Sequence, residues 1–91
     1  MEAKFFVVGS LLMRSRKMFV AFGDVTEGHV QPGMTVVFSL GNVSVTATVK
    51  AVEFVDVRDQ AYTGLVFDCE TEDLELWQSL KIAGEILVLS A

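Results

Sequence analysis

The apolar residues of this chain come in short runs rich in β-branched and aromatic side chains. Each run is stopped by a turn signal well before it reaches the ~20 residues that a membrane-spanning helix needs. That pattern admits a small all-β domain and little else. Lys4 to Val8 forms the first run, and Met18 to Val25 follows a basic segment. Glu27-Gly28 and Pro32-Gly33 then punctuate the chain. Pro32 presets φ for the first central position of a type II turn, and Gly33 supplies the positive φ at the second. Thr35 to Leu40 alternates, with Val36, Phe38 and Leu40 on one face, and Gly41-Asn42 suits a tight hairpin.

Val43 to Phe54 carries the clearest strand pattern. Val43, Val45, Ala47 and Val49 share one face, after which Val52 and Phe54 carry the apolar phase on even numbers. The slip predicts a β-bulge near Lys50 or Ala51, which would turn a barrel corner. Asp56 to Gly64 reads as a polar loop, Gly64 to Cys69 as a strand and Glu85 to Leu89 as the last strand. Between them Leu74, Trp77 and Leu80 recur at a three-residue spacing behind Thr71, Glu72 and Asp73. That arrangement predicts a short helix or a 3₁₀ turn with Trp77 as a lid on the core. Ninety-one residues allow one core, with roughly 64% of the unfolded surface buried on folding. The expectation over residues 1–91 is a single domain. It is a closed or nearly closed antiparallel Greek-key β-barrel of six to seven strands with one short helix near the C-terminus.

Charge limits the partners. The net charge is −5, the opposite of the balance that coats nucleic acid through phosphate neutralisation, so non-specific nucleic-acid binding is not expected. The charge is uneven. Residues 1–50 carry five cations against three acids, whereas residues 51–91 carry two cations against nine acids. Arg14, Arg16 and Lys17 form the one concentrated basic segment, in an expected loop between two strands. There they would either guard a strand edge against aggregation or dock a phosphate or an acidic protein, with Arg14 and Arg16 projecting to the same side.

The chemistry-bearing residues are sparse. His29 is the sole histidine and reads as an exposed turn residue. Cys69 is the sole cysteine, so an internal disulfide is impossible, a reducing cytoplasmic setting fits, and its acidic neighbours Asp68 and Glu70 would raise its pKa. The acids Glu70, Glu72, Asp73 and Glu75 lack the spacing of a calcium loop. Phe5 to Met13 is flanked by Arg14 and Lys17 rather than by a small-residue cleavage site, so it reads as folded strand and not as a signal peptide. No catalytic, cofactor or metal site is expected.

Read in order, Gly23-Asp24-Val25-Thr26-Glu27-Gly28 through Pro32-Gly33-Met34-Thr35-Val36 resembles the second domain of the translational GTPases, the β-barrel domain of elongation factor Tu and its relatives. Thr48-Val49-Lys50-Ala51-Val52-Glu53-Phe54, Asp59-Gln60-Ala61-Tyr62-Thr63-Gly64 and Lys81-Ile82-Ala83-Gly84-Glu85-Ile86-Leu87 continue the likeness, which spans residues 5 to 89. Met34 stands where that family often has an acid. No G-x-x-x-x-G-K-[ST] stretch occurs, so nucleotide binding by a phosphate loop is not expected. The resemblance implies a stand-alone barrel whose partner is the ribosome, RNA or a translation factor, with no contacting residue carried over. The alternatives are a self-associating structural subunit or an adaptor for a protein partner unrelated to translation. A small ligand in the barrel mouth is the weakest reading.

Overall fold

The computed structural model describes residues 2–40 and 42–91. Seven strands form one antiparallel sheet: β1 (Glu2–Met13), β2 (Met18–Glu27), β3 (Thr35–Leu40), β4 (Val43–Thr48), β5 (Ala51–Val57), β6 (Gln60–Asp68) and β7 (Ile86–Ser90). Their order across the sheet is β4-β3-β7-β1-β2-β6-β5. Thr71–Asp73 makes a 3₁₀ turn that leads into the short helix α1 (Leu74–Ser79). No helix among the described residues is long and apolar enough to cross a membrane.

Alternation places one face of each strand inward, so Phe5, Phe19, Phe38, Phe67, Leu65 and Leu89 are fully buried together. Trp77 of α1 covers one end of this core. Its ring centroid lies 4.9 Å from Phe19, 5.7 Å from Phe38 and 5.9 Å from Phe67. The lid expected of Trp77 is therefore present. Val20 and Val66, paired across β2 and β6, face the other way and are still buried, so the outer face of these strands also sheds water.

The reading of Phe5 to Met13 as strand holds, since β1 runs on to Met13, and the basic segment is the tight end of a β1–β2 hairpin. Two other local readings change. Asp56 to Gly64 is not a loop. β5 and β6 pair up to Val57↔Gln60 around Arg58 and Asp59, whose φ angles of 50° and 66° are the positive pair that a type I′ turn requires. Arg and Asp give a weaker turn signal than Asn-Gly, which is why polarity alone suggested a loop. The expected bulge near Lys50 is instead a change of partner: the Val49 N–H donates to Met34 O at 2.8 Å and the Lys50 N–H to Val66 O at 2.7 Å. Consecutive residues thus bond to strands on different flanks of the sheet. The bulges lie in the β1–β2 ladder, at Lys4/Phe5 and Val7/Gly9.

The Pro32-Gly33 turn forms as read, with Gly33 at φ 96° and the Met34 N–H reaching Gln31 O at 3.3 Å. The Gly41-Asn42 reading falls partly outside the described residues, because it depends on Gly41. β4 and β5 are the two outermost strands of the sheet and are also consecutive in the chain, joined through Val49 and Lys50. A three-residue step spans at most about 11 Å, so the sheet must curl until its flanks nearly meet at that corner. Beyond the corner no ladder joins β4 to β5 or β6 among the described residues, so the sheet is curled but not closed.

Candidate functional site

Arg14–Arg16 forms a single 3₁₀ turn, and Lys17 closes it in the left-handed region at φ 53°, donating its N–H to Arg14 O at 3.2 Å. The Lys17 carbonyl in turn accepts the Cys69 N–H at 2.8 Å, which pins the hairpin tip to the end of β6. Successive residues of a 3₁₀ turn are rotated by about 120°. Arg14 and Arg16 therefore fan apart, and the shared side expected of an extended segment does not hold. All three cations are exposed. The ion pairs among the described residues are Lys4–Glu27 at 4.0 Å and Lys50–Asp68 at 3.1 Å, and neither involves the tip. Three like charges held on a fixed turn leave their donors to solvent or to an anionic partner.

Cys69, just behind the tip, is buried. Burial pushes its thiol up from 9.0 to about 11, with the charges of Asp68 and Asp73 adding to the rise, so at neutral pH it is protonated. A protonated, enclosed thiol is a poor nucleophile. His29 is exposed, as its turn position suggested. Among the described residues no group of three or more His, Cys, Asp or Glu side chains is placed to hold a metal ion.

A second feature was not anticipated. Where the curled sheet fails to close, a cleft of about 410 Å³ opens between β4 and the chain leaving β6. Thr46 and Thr48 line one wall, Asp68, Glu70 and Asp73 the other, and Trp77 lies at its base. Lys50 spans the neck of the cleft, with Nζ 3.1 Å from Asp68 Oδ1. Two somewhat smaller clefts, of about 370 and 360 Å³, lie elsewhere. One is where β3 and β7 part after two paired positions, beside exposed Val37 and Ile86, and the other is on the outer face beside Phe22 and Tyr62. The sequence carried one sign of the seam, the phase slip at Lys50. What it could not give was that the slip marks an unclosed flank.

Comparison with protein-family models, with curated proteins and with solved structures finds no match for this chain.

Proposed function

We propose that the domain is a non-enzymatic interaction module that docks through the Arg14–Lys17 tip onto an anionic face of a ribonucleoprotein of the translation machinery. The observation that carries this reading is the tip itself: three exposed cations on a pinned turn, with no acidic side chain paired to any of them among the described residues. The resemblance to the translation-factor barrel supplies the class of partner. On this reading the curled seven-stranded sheet is an open form of that Greek-key barrel. An overall charge of −5 repels free polyanions at long range, so recognition rests on contacts within a screening length of about 8 Å.

Co-sedimentation with ribosomes at low and high salt tests the proposal. Three phosphate contacts predict a loss of about 20- to 40-fold in affinity between 50 and 200 mM salt. Arg14→Glu with Arg16→Glu is expected to abolish comigration at low salt while the fold stays intact. No comigration of the native protein at low salt removes the translation reading, and comigration untouched by the double substitution removes the tip.

Self-association is a second reading, and Phe54 favours it. This side chain is 89% exposed on β5, an outermost strand whose open edge a second copy could pair with.

A further inference from the structure

The cleft at the open seam is a strand-acceptor slot lined by none of the tip residues, although the Lys17–Cys69 bond holds the tip beside one of its walls. Val49 donates its N–H inward to Met34 of the segment leading into β3, and along an antiparallel strand the direction of N–H and C=O alternates residue by residue. The β3–β4 register is regular from Leu40↔Val43 to Thr35↔Thr48, so the amides of Val45 and Ala47 also point toward β3. Those of Ser44, Thr46 and Thr48 therefore point away from the sheet, toward the cleft. β4 is the outermost strand and its ladder is with β3, so among the described residues neither a ladder bond nor another backbone hydrogen bond engages them.

Sheet proteins usually guard such a flank with Lys, Pro or a bulge. β4 reads Val-Ser-Val-Thr-Ala-Thr, with none of these and with strand-favouring β-branched residues at four of its six positions. The opposite wall is equally unfinished: the β5–β6 ladder ends at Ala51↔Val66, and beyond it the chain turns off toward α1 with no partner on that side among the described residues. Five residues of strand span about 17 Å, so the slot suits a peptide segment of five or six residues.

Charge selects the occupant. Asp68 is engaged by Lys50, but Glu70 and Asp73 face the slot without a cationic partner among the described residues. We propose that the seam accepts an extended, basic segment of a partner protein, which adds as a strand to β4 and places Lys or Arg side chains against Glu70 and Asp73. Backbone pairing supplies the affinity and the two carboxylates supply the preference for a basic sequence.

The probe is an eight-residue Lys-Val alternating peptide with blocked ends, titrated into the ¹⁵N-labelled full chain and compared with its Glu-Val counterpart. The Lys-Val peptide is expected to shift the amide resonances of Ser44, Thr46 and Thr48 and slow their hydrogen exchange, and the Glu-Val peptide to leave them unmoved. Thr46→Pro removes an outward N–H without touching the β3 ladder, so it should abolish binding while the amide spectrum of the core stays native. Glu70→Lys with Asp73→Lys should weaken the Lys-Val peptide about tenfold and turn the preference toward Glu-Val. This second variant decides the matter should Thr46→Pro disturb folding. Absence of amide shifts at millimolar Lys-Val peptide overturns the assignment. So does equal binding of both peptides, and so does a β4-mediated dimer that Thr46→Pro dissolves, which would make a second copy the occupant.

Discussion

The carbonyl of Lys17 accepts the backbone N–H of Cys69 at 2.8 Å, so the tip of the β1–β2 hairpin and the exit of β6 are fixed to each other. The bond uses backbone atoms only. Among the described residues the cationic side chains above it make no hydrogen bond or ion pair, so their replacement should change binding without changing the fold.

That separation gives a stability prediction. Arg14→Glu with Arg16→Glu should leave the unfolding free energy within about 0.5 kcal/mol of native, because no ion pair is lost. Lys17→Gly should raise it by up to about 1 kcal/mol, since glycine occupies the left-handed region without steric cost. Urea denaturation checks both, and a large loss in the double variant would mean that the tip cations hold the fold.

Trp77 should behave as the keystone of one end of the core. Trp77→Ala exposes the edges of Phe19, Phe38 and Phe67 and should cost about 3–5 kcal/mol, a large share of what a domain of this size has available. As the sole tryptophan, it should emit at short wavelength in the folded protein and shift to the red on unfolding, which supplies the readout for the other variants.

Cys69 sets an alkaline dependence. Its folded pKa is raised from 9.0 to about 11, so the native state holds the proton more tightly than the unfolded chain. Stability from this group is unchanged below about pH 9 and declines as pH climbs through 11. Cys69→Ala should remove that part of the decline, measured as the difference between the two proteins' denaturation midpoints from pH 8 to 11. Thiol-specific reagents should modify native Cys69 slowly at pH 7 and rapidly once urea unfolds the chain.

Gly23 should tolerate no side chain. A Cβ there would lie 1.9 Å from the Phe6 carbonyl oxygen, inside the β1–β2 ladder. Gly23→Ala should therefore cost at least about 3 kcal/mol or abolish soluble expression, whereas Gly33→Ala meets an open surface and should cost only the strain of its positive φ.

Phe54→Ser isolates self-association from folding. Loss of so exposed a ring should leave the unfolding midpoint nearly unchanged. A concentration-dependent mass in light scattering that collapses to the monomer in this variant would support the subunit reading, and a monomer in both would end it.

The sequence disclosed what period and turn chemistry encode. Strand alternation located Val36, Phe38, Ala47 and Val49 on the inward face, and Pro32-Gly33 announced its turn. The three-residue spacing around Trp77 marked the lid, although the segment divides into a 3₁₀ turn and α1. Pairing was less legible, because a phase slip looks alike whether the strand bulges or abandons one partner for another, as it does between Val49 and Lys50. The tip residues were found from charge alone, but the direction of their side chains depended on Lys17 adopting φ 53°, which charge does not encode. The seam had no motif of its own. It arises from strands that nearly meet, which is a property of the whole sheet.

The place of β7 bears on how such a chain reaches its native state. Among the described residues the β3–β4 hairpin pairs laterally with the remaining strands only through β7, which sits between β3 and β1 and carries both Thr35↔Ser90 and Glu2↔Ser90. Closing a loop of nearly the whole chain costs about 3 kcal/mol more entropy than closing a hairpin, so this strand is expected to dock late and slowly. Until residues 86–90 leave the nascent-chain tunnel, β1 and β3 each lack a neighbour, and the polypeptide emerges as two unlatched halves whose facing strands are open to the wrong mate.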